Sequence, residues 1–349
     1  MKRITSIFTK SLLLIVVLSL FGCPNPWQGP DYSEGHFPDN PVNFTALNTA
    51  YDDYNSALPQ SGERFPICFS SNRASAGIDT TFDIVHKPLE ITYNWDTREL
   101  YVGIQRNYGG YDAINTSAQK AAEASYSSAN EFGPFLQPMG EKQDPNAEFG
   151  YYYAFTLLFS SDRDGGRQDI YFVENDKQEA YSKAKPIAFL NSAFDDCYPS
   201  YNQNDSGIYF CSNRGGFYDI YFANVNLSSY DWPAIFSDTT TKPIRKVSEL
   251  SADSAADKCP FILDNYMVFA SNRPGGYGGY DLYYSHFNNG KWSKPVNFGS
   301  RINTAYDEFR PVVRHEMGFD NDFMIFSSNR PGGQGGFDLY YVGVEKIPR

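Results

Sequence analysis

The chain has 349 residues, 41 of them acidic and 29 basic, for a formal net charge of −12. An acidic surface does not attract phosphate backbones or anionic headgroups, which excludes nucleic acid and charged lipid as direct ligands. The 27 tyrosines and 28 phenylalanines suit pleated, half-buried strands, and long amphipathic helical patterns are nearly absent, so an all-β chain is expected.

At the N-terminus Lys2, Arg3 and Lys10 flank an apolar run from Leu12 to Phe21 that is too short for a membrane span, the pattern of a secretory signal. The run ends in Leu20, Phe21, Gly22 and Cys23, which resembles the lipobox of bacterial lipoproteins, although Phe21 is bulkier than that family usually has there. The resemblance implies a signal peptide over residues 1–22 and a lipid attached to Cys23, so that the only membrane contact is the anchor. The proline-rich start of residues 23–40 reads as a tether. The expected location is the cell envelope, at the outer membrane.

From Phe69 onward one phrase recurs. Its copies are FSSNRASAGIDTTFDIV from Phe69, VGIQRNYGGYDAI from Val102, FSSDRDGGRQDIYF from Phe159, FCSNRGGFYDIYF from Phe210, FASNRPGGYGGYDLYY from Phe269 and FSSNRPGGQGGFDLYY from Phe326. Self-similarity at a period of roughly 30–60 residues marks a repeat architecture. Each copy reads as two strands joined by a turn of Ser, Asn, Arg and Gly. A run ahead of it, such as Arg310 to Val313, supplies an inner strand, and KWSKPVNF from Lys291 supplies an outer one whose proline suits an edge. Four strands per unit describe a propeller blade. Six copies predict a six-bladed β-propeller over residues 41–349, with the Val102 copy as a degenerate blade and five blades as the alternative.

A second element, LNTAYDD from Leu47, LNSAFDD from Leu190 and INTAYDE from Ile302, falls between one blade's outer strand and the next blade's inner strand. The first copy follows Pro41 to Phe44, which looks like an outer strand although no blade precedes it, while the last blade lacks one of its own. Residues 41–44 are therefore expected to close the ring by pairing onto the last blade.

The recurring polar residues are Asn72, Arg73 and Asp83; Arg106 and Asp112; Arg163 and Asp169; Asn213, Arg214 and Asp219; Asn272, Arg273 and Asp281; and Asn329, Arg330 and Asp338. Repetition in every blade assigns the arginine and aspartate pairs, such as Arg273 with Asp281 and Arg330 with Asp338, a structural role, tying the turn to its own or a neighbouring blade. The acidic pairs Asp52–Asp53, Asp195–Asp196 and Asp307–Glu308 are spread around a ring and do not offer the converging oxygens a divalent ion needs. His36, His86, His286 and His315 are scattered, with neither HExxH nor GxSxG, so no catalytic residue, metal or cofactor is indicated. Cys68, Cys197, Cys211 and Cys259 leave a Cys197–Cys259 bridge open. Residues at about 115–150 break the repeat and read as an insertion that begins with a short helix, either a surface decoration or a partner-contact loop.

Over about residues 41–344 the units resemble the TolB-like, WD40-like (PD40) β-propeller repeats of bacterial envelope proteins, which run as W-x-x-P, I-N-T, D-E and L-Y-F-S-S-N-R-x-G-G-x-G-G-x-D-I-Y. The resemblance implies a non-catalytic protein-binding or scaffold module whose partner is an envelope protein, of OmpA-like kind. The alternative is a propeller enzyme or carbohydrate-binding module acting on envelope or extracellular glycans.

Overall fold

The computed structural model describes residues 34–59, 64–76, 81–106, 112–146, 150–177, 180–202, 206–228 and 231–346. Among them, five antiparallel sheets are arranged as blades, each running from an inner strand outward. Blade 1 contains Asp53–Ala57, Arg64–Ser71, Asp83–Asn94 and Glu99–Ile104. Blade 2 contains Glu131–Gln143, Tyr151–Ser161, Asp169–Lys177 and Lys185–Pro186. Blade 3 contains Asp196–Ser200, Gly207–Ser212, Asp219–Asn224 and Ile244–Lys246. Blade 4 contains Asp257–Leu263, Tyr266–Ser271, Asp281–Asn288 and Val296–Asn297. Blade 5 contains Glu308–Arg314, Asp322–Ser328, Asp338–Val344 and, as its outer strand, Val42–Asn43.

That last pairing, Val42 opposite Tyr341 and Asn43 opposite Tyr340, closes the ring as expected and leaves no open seam. The chain ahead of it is also engaged. Gly35 donates to the Gly318 carbonyl at 2.7 Å, Phe37 stacks on Phe319 at 4.1 Å between ring centroids, and Gly343 donates to the Pro38 carbonyl at 2.7 Å. Residues 35–38, read as tether from their composition, are thus packed on blade 5. The signal peptide and Cys23 lie outside the described residues.

The propeller is borne out with the alternative count of five blades. Val102 pairs with Ile91 in the outer strand of blade 1, so the degenerate copy is no blade. Arg106 follows that strand, and Asp112 caps a helix, α1 (Ala113–Ser125), by accepting the Asn115 N–H at 3.0 Å. The alanine-rich sequence favours helix. It buries Ala118, Ala121 and Ala122, spaced three and one residue apart on one face, against Cys68 and Ile84 of blade 1 and Leu157, Phe159 and Val173 of blade 2. Nor is the stretch at about 115–150 a single insertion. Only α1 and its flanks are inserted, because Glu131–Gln143 pairs with Tyr151–Ser161 as the inner strand of blade 2. Alternation was masked there by Gly133, Pro134, Pro138 and Gly140.

Candidate functional site

Each inner strand opens with a carboxylate, Asp53, Glu131, Asp196, Asp257 or Glu308, and all five are 0% exposed. Each accepts from the arginine of its own blade's phrase: Arg73 at 2.5 Å, Arg163 at 2.8 Å, Arg214 at 2.5 Å, Arg273 at 2.6 Å and Arg330 at 3.0 Å. The same guanidinium donates to a backbone carbonyl ahead of the inner strand, such as Leu250 for Arg273 and Ile302 for Arg330, both at 2.7 Å. In blades 2 to 5 it also lies over two rings of the phrase, Phe269 and Tyr283 for Arg273, whereas Arg73 lies over Phe69 alone among the described residues. Arginine suits this place because one planar fork can serve carboxylate, carbonyl and aromatic face together.

The pairing with the aspartate of the same phrase does not form for Arg273 and Arg330, because the turn carries that aspartate away from the guanidinium. Asp281 and Asp338 instead fold the glycine turn, accepting the N–H of Tyr277 at 2.7 Å and of Gln334 at 2.5 Å, and each binds an outer-strand asparagine amide, Asn297 at 2.8 Å and Asn43 at 2.9 Å. Asp169 pairs with Arg167 and Asp219 with Lys246, Asp83 opens its strand opposite Ser71, and Arg106 lies over the Tyr101 ring at 3.8 Å. Asn72, Asn213, Asn272 and Asn329 each accept the N–H of the residue before an inner strand, at 2.7 to 2.9 Å.

The acidic pairs divide their work. Asp52 and Asp307 accept N–H groups from the preceding blade, Phe337 at 2.7 Å and Tyr280 at 2.8 Å, while Asp53 and Glu308 hold the arginines. A Cβ on Gly335 would stand 1.9 Å from the Tyr51 carbonyl oxygen, so the late glycines of the phrase admit the next blade's backbone.

Beyond the first residue the blades diverge. The third residue of every inner strand is left-handed and sits at a register shift: Asn55 (φ 58°), Gly133 (56°), Tyr198 (56°), Cys259 (56°) and Arg310 (48°). For the four that are not glycine this strain costs on the order of 1 kcal/mol or more each, and such bulges re-aim side chains. Two of them reach across to other blades. Arg310 of blade 5 donates to the Pro134 carbonyl of blade 2 at 2.9 Å, across blade 1, and the Tyr198 ring fills the space where a Gly133 side chain would be.

The second residues and those just before each third strand surround the mouth. One arc is aromatic, with Tyr54 5.1 Å from Phe82, 5.6 Å from Phe337 and 6.0 Å from Phe132. The other places the Lys258 ammonium 3.8 Å from the Tyr218 ring centroid and packs Tyr280 against Phe309 at 5.2 Å. All of these side chains are partly exposed. Gln168 and buried Cys197 fill the break between the arcs.

Glu131 departs from the other ring carboxylates. Asp53, Asp196, Asp257 and Glu308 each take a backbone N–H from the element ahead of the strand, at 2.6 to 2.7 Å. In blade 2 that element is replaced by α1 and its exit, and Glu131 receives only the Ser127 hydroxyl at 2.6 Å, with Arg163 and Ser161, on one oxygen. Its Oε2 is buried without a partner. Burial, with a smaller push from the Asp83 charge, raises its pKa to about 7 against the pull of Ser127 and Arg163. The four cysteines among the described residues are free; the Cys197 thiol lies 3.3 Å from that of Cys211, its cross-strand partner, and not in a bridge to Cys259.

No protein-family model and no curated protein sequence matches the chain. Among solved structures it is similar to a thermostable family-43 glycoside hydrolase, with TM-score 0.50 and 11% identity over 88% of this chain and 98% of that one. A family-62 hydrolase in complex with xylotriose gives TM-score 0.48 and 8% identity over 91% and 99%, and the catalytic domain of the Coprinopsis cinerea family-62 α-L-arabinofuranosidase gives 0.47 and 9% over 89% and 97%. At 11% identity the first shows a shared fold. The TolB-like, WD40-like assignment is corrected accordingly: the repeat phrase is a device for locking blades, and the five-bladed fold it builds is shared with the family-43 structure. The non-catalytic scaffold, which rested on that assignment, and the expectation of no enzyme, which rested on the missing HExxH and GxSxG motifs, are both corrected by the likeness to glycoside hydrolase structures. The OmpA-like partner had no other support.

Proposed function

We propose that this chain is a propeller enzyme acting on glycans, with sugar bound at the channel mouth. The observation that carries the proposal is the partly exposed aromatic rim around Tyr54, Phe82, Phe132 and Phe337, set over a channel where the repeat gives way to individual residues. Flat apolar rings with a wet edge suit the alternating apolar and hydroxylated faces of sugars. The shared fold with a family-43 glycoside hydrolase supports the same class.

Glycoside cleavage needs a carboxyl group that still holds its proton near neutrality. Glu131, held up to about 7, is the ring carboxylate that keeps its proton nearest neutrality, but it is fully buried and clamped by Arg163, so it acts on the rim only through its neighbours. Export and anchoring through Cys23 would set the enzyme against envelope or extracellular glycans.

The test is turnover of a panel of aryl glycosides and soluble polysaccharides by the wild type, Tyr54→Ala and Glu131→Gln. Tyr54→Ala is expected to raise KM, and Glu131→Gln, which has no direct reach to the sugar, to change the pH profile more than kcat. Neither turnover nor binding of any glycan would refute the proposal.

A further inference from the structure

Two cations at the centre of the ring have no anionic partner among the described residues. The Arg310 side chain is fully buried; one nitrogen donates to Pro134, while Nε and Nη1 have no partner. Lys258, one residue earlier on the neighbouring inner strand and at the mouth, rests on Tyr218 and faces Tyr280 at 5.8 Å, with no carboxylate within ion-pair distance among the described residues. Fully buried Arg314, on the same strand as Arg310, provides the contrast, since it pairs with Glu316 and donates to the Pro59 carbonyl at 2.9 Å.

The groups around the pair are not hidden anions. Burial pushes the Cys197 and Cys259 thiols and the Tyr198 phenol well above their ordinary values, so at neutral pH they carry no charge. A buried guanidinium without a counterion is costly unless something supplies one. The carboxylates nearest Lys258 are already engaged: Asp195 accepts the Tyr218 hydroxyl at 2.6 Å and Asp307 accepts the Tyr280 N–H at 2.8 Å. Surface carboxylates are screened within about 8 Å at physiological salt, whereas the enclosed cations are not.

We propose that the throat binds a carboxylate, that of an acidic sugar such as a uronic acid, with Lys258 meeting it at the mouth and Arg310 reinforcing the attraction from below. This rests on the glycan reading and narrows its substrate to acidic glycans. The aromatic neighbours Tyr218, Tyr280 and Phe309 take the sugar ring.

The experiment is calorimetric titration of the whole chain with a uronic-acid trisaccharide, with its carboxyl-reduced neutral counterpart, and separately with sodium acetate. Wild type is expected to bind the acidic trisaccharide at least about tenfold more tightly than the neutral one. That preference should collapse in Lys258→Met and Arg310→Met and persist in Lys258→Arg. Equal affinity for the two trisaccharides in wild type, or a preference that survives both methionine variants, would overturn the acidic specificity while leaving the glycan reading intact. Arg310-dependent binding of acetate with no binding of either trisaccharide would overturn the sugar as source, and the glycan reading with it.

Discussion

The first residue of each inner strand and the two that follow it lie within a few ångströms of one another yet behave oppositely. At the first position five blades carry Asp or Glu, each buried and each held by the arginine of its own blade's phrase. At the third they carry Asn, Gly, Tyr, Cys and Arg in a shared strained backbone. Repetition marks what every blade needs to stay closed on its neighbour. Divergence within a fixed backbone marks what the ring as a whole can recognise, and it is there that unpartnered polar atoms of Asn55 and Arg310 collect.

The largest effect should come from breaking the frame. Deleting residues 35–46 removes the outer strand of blade 5 and the Phe37–Phe319 stack, and differential scanning calorimetry should show Tm falling by about 10 °C or more. An unchanged Tm would mean that the closing strand is dispensable.

A smaller effect sharpens the contrast between Glu131 and the other ring carboxylates. Its folded pKa, near 7, lies above its unfolded value, so the folded state holds the proton more tightly; that stabilisation is fully present below the unfolded value and is lost as pH rises through 7. Urea titrations should show wild type losing about 3 kcal/mol between pH 4.5 and 7.5 relative to Glu131→Gln. Parallel pH curves for the two would remove Glu131 as the tuned group.

The smallest effect concerns the thiols. Burial raises the Cys68 pKa to about 12 and those of Cys197 and Cys259 well above the ordinary value, so these thiols should resist alkylation in the folded protein and react on unfolding. Fast labelling of the native protein would show the channel to be open to solvent.

The propeller and its closure were legible because the phrase repeats and because PVNF at Pro41 matches PVNF at Pro295. The blade count went astray at Val102, where a strand, a basic residue and a Gly-Gly pair mimic the phrase but lead into a helix capped by Asp112. The arginine partners were misassigned because Asp257 and Glu308, distant in sequence from Arg273 and Arg330, are brought beneath them only by pairing of the inner and second strands. The throat left a fainter trace. Aligned on their opening carboxylates, the inner strands read DYNSA, EFGPF, DCYPS, DKCPF and EFRPV, and the changing second and third letters were the available signal.

The most direct test sets adjacent positions of one strand against each other by measuring Tm and trisaccharide affinity for Asp257→Asn and Lys258→Met. The account predicts that Asp257→Asn, which strips Arg273 of its counterion, lowers Tm by roughly 5–10 °C while the folded fraction keeps its affinity. Lys258→Met should hold Tm within about 2 °C and lose the preference for the acidic sugar. A Lys258→Met protein that binds like wild type, beside an Asp257→Asn protein that melts like wild type, would contradict it.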